Sequence, residues 1–145
     1  MGRAMDGAIS PEPGGRGVLL LVDDNVFFRQ MGRAVLQRAG YTVITAHDGE
    51  EALESFLRRR GEIDAVLSDL VMPGGGGLGL CRRIKEHDAQ VPIIVMTGWE
   101  GKEASAHPEE FGFAAVLKKP FAAEDLVDLV GRVVEEGRRR RVAQL

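Results

Sequence analysis

The sequence predicts a single α/β domain in which five parallel strands form an open, doubly wound sheet with helices on both faces. Three observations carry that prediction. Short apolar runs alternate with longer amphipathic stretches, the pattern of repeated βα units. The runs are rich in Val, Ile and Leu, as strands covered on both faces must be. Four of them lead into a polar or charged residue, and in a parallel sheet the carboxyl ends of all strands open onto one crevice.

The strands are predicted at 18–22 (VLLLV), 41–46 (YTVITA), 64–68 (DAVLS), 92–96 (PIIVM) and 114–117 (AAVL), joined by right-handed crossovers. A first helix over 26–39 places Phe27, Met31, Val35 and Leu36 at core spacing and stops at Gly40. Asp48 caps a second helix that runs through Ala52, Leu53, Phe56 and Leu57. The third, near 78–87, buries Leu80, Cys81 and Ile84. The last, over 123–136, carries Leu126, Leu129, Val130 and Val133 on one stripe, with acids at its start and Arg138 to Arg141 after its end. Proline costs about 3 kcal/mol inside a helix, so a fourth-crossover helix must begin at Pro108 and be short or irregular.

With 145 residues, 44% of them hydrophobic, the chain can bury one good core and no second domain of ordinary size. Residues 1–16 are rich in Gly and Pro and read as a disordered tail or linker, 17–136 as the domain, and 137–145 as a basic C-terminal tail. No DNA-binding or other effector segment is expected after the last helix. A net charge of −3 argues against a chain-wide nucleic-acid footprint, and Arg138 to Arg141 read as a solvated end. Cys81 is the only cysteine, which excludes an internal disulfide. No apolar stretch approaches the roughly 20 residues that span a bilayer, and the start lacks the apolar core of a signal peptide. A cytoplasmic location is the expectation.

Asp23 and Asp24, Asp69, Thr97 and Lys119 would share the crevice. Two carboxylates about 4 Å apart repel by about 4 kcal/mol at an effective dielectric near 20, so three require a cation or a raised pKa. Carboxylate oxygens suit Mg²⁺, which leaves positions open for phosphate oxygens. Lys119 and Thr97 could contact the remaining oxygens of a phosphoryl group. No histidine follows these four runs to act as a general base, so the expected chemistry is in-line transfer onto a carboxylate. Residues Gly74 to Gly79 satisfy GxGxxG, but Asp69 would repel a pyrophosphate and Pro73 interrupts the turn. Those glycines instead let the backbone come close to the site. His47, His87 and His107 share no metal-binding spacing.

The segments LLLVDDN, VLSDLVMPGGGGL, IIVMTGW and VLKKPF closely resemble the signature segments of the receiver domain of bacterial two-component response regulators, from about Val18 to Val134. The resemblance implies a flavodoxin-like (βα)5 fold with strand order 2-1-3-4-5. It implies that Asp69 is the phosphoacceptor, and that Asp24, Asp69 and the backbone carbonyl of Val71 hold Mg²⁺, with Asp23 acting through a metal-bound water. Thr97 and Lys119 would hold the phosphoryl oxygens, a cis Lys119–Pro120 bond would aim Lys119 inward, and Lys118 would face solvent. The implied donor is a histidine kinase or a histidine phosphotransfer protein. The domain would catalyse its own phosphorylation and dephosphorylation, and a homodimer is one expected assembly.

Some positions depart from the family pattern. Val116 stands where the family commonly has a swinging aromatic residue, three positions before the lysine. MTGW and GFAAVLKKPF look more like receivers of hybrid histidine kinases, or free-standing receivers, than like those of DNA-binding regulators. Val71 and Trp99 occupy positions that govern water attack in the family, and apolar groups there are expected to slow dephosphorylation. Two other functions compete. A phosphorylation-independent binding module would have had no need to keep all five polar residues. An aspartyl-phosphate phosphatase would carry a second acid two residues after its nucleophile, where this chain has Val71.

Overall fold

The computed structural model describes residues 15–72, 76–98 and 112–143. In chain order these form β1 (Gly17–Val22), α1 (Val26–Arg38), β2 (Tyr41–Ala46), α2 (Gly49–Arg58), β3 (Ala65–Asp69), α3 (Gly76–His87), β4 (Ile93–Thr97), β5 (Ala115–Lys118) and a C-terminal helix, α4 (Ala123–Ala143). The five strands are all parallel and lie in the order β2-β1-β3-β4-β5, as expected. Expected strand positions are met to within a residue, but β3 and β4 extend to include Asp69 and Thr97 themselves. The helix expected at Pro108 lies outside the described residues.

Side chains alternate across a strand, which explains why the runs are apolar throughout. Leu20 and Val22 of β1 face one core with Phe56 of α2 and Leu80, Cys81 and Ile84 of α3. Leu19 and Leu21 face the other, with Leu36 of α1 and Leu126, Val130 and Val133 of α4. Asn25 and Asp48 cap α1 and α2, accepting from the backbone N–H groups of Phe28 and Glu51, and thereby fix where each helix leaves the crevice edge. Cys81 packs as a small hydrophobe, and burial pushes its thiol up to about 12.

Three expectations need correction. Phe27 is not a core residue: it is 68% exposed, and the stripe of α1 that meets the sheet runs through Gly32 and Leu36. The cause is close packing, because a Cβ on Gly32 would lie 3.1 Å from Leu21 Cδ2, so the helix turns its glycine inward and Phe27 outward. The last helix does not stop near Glu136 but continues to Ala143, so Arg138 to Arg141 belong to its final turns rather than to a tail. Gly137 is buried against Pro92, Arg138 donates to the Arg16 carbonyl at 2.9 Å and lies 3.5 Å from Asp64, and Arg139 pairs with Glu135 one turn back. These contacts hold the helix on the body beyond its last apolar turn. Arg16, expected in the N-terminal tail, is part of the domain: its N–H donates to Gly40 and its guanidinium covers the Tyr41 ring.

Gly77, in the first turn of α3, sets how closely that helix approaches the end of β3. Its N–H donates to the Leu70 carbonyl at 2.9 Å, and a Cβ there would lie 2.2 Å from the Asp69 carbonyl oxygen. Gly77→Ala is therefore expected to destabilise the fold by at least about 2 kcal/mol in urea unfolding. Gly79→Ala, whose Cβ meets nothing within 4 Å, should be neutral or slightly stabilising.

Candidate functional site

The crevice at the carboxyl ends of the strands gathers the expected polar residues. Asp23 follows β1 and is fully buried, with both carboxylate oxygens engaged: Oδ1 accepts from the Asn25 N–H at 2.9 Å and Oδ2 from Lys119 Nζ at 2.9 Å. Asp69 closes β3 at 9% exposure; Oδ1 faces the Val71 N–H at 3.4 Å and Oδ2 lies 3.5 Å from Lys119 Nζ. Asp24 is exposed, with no hydrogen bond or ion pair to its carboxylate among the described residues. One oxygen from each of these three acids can be chosen so that all lie within 4.8 Å of one another.

Lys119 reaches this cluster because its backbone is held at the sheet edge, where its N–H donates to the Thr97 carbonyl at 2.8 Å. The Lys119–Pro120 bond is cis, as expected, and Lys118 is exposed. Thr97 is fully buried at the end of β4, and its hydroxyl donates to the Gly98 carbonyl at 3.1 Å. Val71 is 53% exposed beside Asp69, and Val116 is half-buried on β5. Trp99, Pro73 and His107 lie outside the described residues.

Among the described residues three carboxylates face one ammonium, so negative charge is in excess there. Burial raises the Asp69 pKa above its ordinary value; Lys119 opposes the rise, Asp23 adds to it, the Val71 N–H lowers it, and Asp24 raises it again. An acid raised in this way favours the folded state when protonated.

Three supporting residues escaped the sequence reading. Arg29 donates to the Asp23 carbonyl at 2.8 Å and fixes the turn that presents both N-terminal acids. The Phe28 ring lies 4.2 Å from Lys119 Nζ and stands beside Phe121, so the ammonium rests on an aromatic face. Gly77 is the third, and the glycine run signalled its region without marking that position. Both Arg29 and Phe28 fall within one helical turn of the Asn25 cap, which was the available signal. His47 is not part of the cluster; it bonds Glu51 and faces Asp48 at the start of α2.

Residues 19–131 match the family described as response regulator receiver domain. The chain belongs to that family. Among curated relatives, this receiver is 34% identical over 119 residues to the DNA-binding transcriptional regulator NtrC of Escherichia coli, a match covering 82% of the chain and 25% of NtrC. It is 37% identical over 125 residues to the sensor kinase CckA of Brucella abortus, covering 84% of the chain and 13% of CckA. The receiver thus spans about a quarter or less of each. Relatives named as a DNA-binding regulator and as a sensor kinase both match. A solved structure of a putative response regulator from Chloroflexus aurantiacus superposes with a TM-score of 0.75 at 34% identity, covering 82% of this chain and 98% of that one. Among the described residues no helix is long and apolar enough to cross a membrane.

The raised Asp69 pKa has a signed consequence. Its contribution to stability is fully present below the ordinary aspartate value and is lost as pH rises through the raised one. Asp69→Asn should therefore raise the melting temperature at neutral pH, and the gain should shrink toward zero as pH falls below the ordinary value. Thermal melts of both proteins across that range provide the check.

Proposed function

We propose that this receiver is a phosphoacceptor in a two-component or phosphorelay system, taking a phosphoryl group onto Asp69 from a phosphohistidine of a histidine kinase or histidine phosphotransfer protein. The observation that carries the reading is the convergence of three carboxylates and one ammonium at a single edge of the sheet. An Asp69 carboxylate oxygen attacks phosphorus, the phosphorus–nitrogen bond breaks, and the bonding pair returns to the imidazole, which is left neutral or takes a proton from solvent. Lys119, already 3.5 Å from Asp69, pairs with a phosphoryl oxygen, and the Thr97 hydroxyl turns from the Gly98 carbonyl to donate to another. Water attacking the same phosphorus breaks its bond to the Asp69 oxygen and releases inorganic phosphate, which restores the carboxylate.

The donor set fits Mg²⁺: all candidate ligand atoms are oxygens, and the Asp24 carboxylate is exposed and uncommitted among the described residues. Asp24, Asp69 and the Val71 carbonyl would hold the ion. Asp23, with each oxygen already bonded, is left the role of a partner through water. Bound Mg²⁺ supplies charge neutralisation for the phosphoryl oxygens. A new dianion on Asp69 competes with Asp23 for Lys119, and this change in pairing alters the surface that partners read. Such a switch has no swinging aromatic, because Val116 holds that position. The single buried thiol suits the reducing cytoplasm in which such a relay would act.

Incubation with acetyl phosphate should add the mass of one phosphoryl group, in a reaction that requires Mg²⁺ and is abolished in Asp69→Asn. Lys119→Ala should slow it by about 10²-fold, the scale for loss of one charge-stabilising donor. Adduct formation without Mg²⁺, or undiminished in Asp69→Asn, overturns the reading. Val71 lies exposed beside the acceptor and offers no hydrogen bond to attacking water, so Val71→Asn should shorten the lifetime of the adduct, followed by its decay after donor removal.

A further inference from the structure

Lys119 is held by more than its carboxylate partners. A lysine ammonium has three donors and no acceptor. One donor goes to Asp23 Oδ2 at 2.9 Å, and Asp69 Oδ2 stands 3.5 Å away. A further side of the ammonium is covered by the Phe28 ring, whose centroid lies 4.2 Å from Nζ. The Lys119 side chain is only 16% exposed, so the ring stands where water or a polar group would otherwise solvate the charge.

The ring is itself fixed in place. Phe28 lies in the first turn of α1, where its N–H donates to the Asn25 side chain at 3.2 Å. The same turn holds Asp23 twice, through the Asn25 N–H on its carboxylate and Arg29 on its carbonyl, so acid and ring are set as one unit. Phe27 forms a T-shaped pair with the ring at 5.7 Å between centroids, and Phe121 stands at 6.4 Å. Among the described residues Phe28 belongs to neither of the two apolar cores, so packing of the sheet does not account for it. An aromatic face also acts differently from a carboxylate. Its attraction for a cation is spread over the ring and survives as the ammonium turns from Asp23 toward Asp69. It offers no strong acceptor to compete with an incoming phosphoryl oxygen. The lysine stem is long and flexible, and each conformer that swings out to water is lost to the reaction.

We propose that Phe28 is a positioning residue for phosphoryl transfer: its ring keeps the Lys119 ammonium between Asp23 and Asp69, where a phosphoryl oxygen meets it, and it acts through that lysine. The proposal rests on the phosphoacceptor role of Asp69 and adds to the polar set an apolar residue that prepares its cation before the donor arrives.

The test follows phosphorylation of the full chain by acetyl phosphate with Mg²⁺, together with proton NMR of the lysine side chains. Phe28→Leu keeps apolar bulk but removes the aromatic face, and it should slow adduct formation by about three- to tenfold, the scale of a partly desolvated cation–π contact. Phe28→Tyr keeps the face and should stay within about twofold of the parent, and Phe28→Leu in a Lys119→Ala background should change the residual rate by no more than about twofold. Before any donor is added, protons at the end of Lys119 lie over the ring and should appear upfield of those of the exposed Lys118. A Lys119 signal at the Lys118 position overturns the proposal. So does Phe28→Leu at the parent rate, Phe28→Tyr as slow as Phe28→Leu, or equal slowing with and without Lys119. In these cases the adduct still forms and Asp69→Asn still abolishes it, so the phosphoacceptor reading stands. A parent that takes no phosphoryl group overturns that reading and this proposal together.

Discussion

Among the described residues Lys119 is the only cation paired with the buried acids at the crevice, and it joins residues that are 96 positions apart in sequence when it pairs with Asp23. Taking a carboxylate and an ammonium out of water is costly, and the pair is tolerable only where further hydrogen bonds complete both groups. Here they do. Asp23 receives a backbone N–H, its own carbonyl is held by Arg29, and the ammonium lies against Phe28. The strand order follows the same demand, because β1 and β3, which deliver the acids, are neighbours, and β5, which delivers the lysine, is tied to β4 at the level of Thr97. A different strand order would strand one charge in apolar surroundings.

The three acids are chemically alike but are placed in different surroundings. Asp23 is saturated by protein donors, Asp69 is half-satisfied and carries a raised pKa, and Asp24 faces water. Such grading separates an anchoring carboxylate from a reactive one and from one available to an ion. It arises from backbone placement alone: Asp23 and Asp24 are adjacent, and successive residues leaving a strand point to opposite sides.

Much of this was legible in the sequence. The βα alternation, the Asp48 cap and the four polar strand ends give the sheet and the crevice with little ambiguity, since period and burial leave few other solutions for runs such as VLLLV. The rotation of α1 was less legible. Phe27 has core-like spacing, yet a glycine at position 32 lets the helix sit closer on Leu21 with another face inward, and hydrophobic spacing alone does not weigh close approach against side-chain size. The extent of the last helix was hidden for a similar reason. Its final turns are held by Arg138 reaching the Arg16 carbonyl and Asp64, long-range contacts that no local pattern announces. Arg29 and Phe28 lie just beyond the LLLVDDN segment and act through geometry on residues already noticed.

The Arg138 contact to Arg16 also brings the entry of the domain and its last helix together at the amino end of the sheet, opposite the crevice. A domain built this way behaves as a cassette. Flanking chain attached on either side would emerge from one pole while the reactive pole stays clear, so the unit can be spliced into longer proteins of different architecture without repositioning its chemistry.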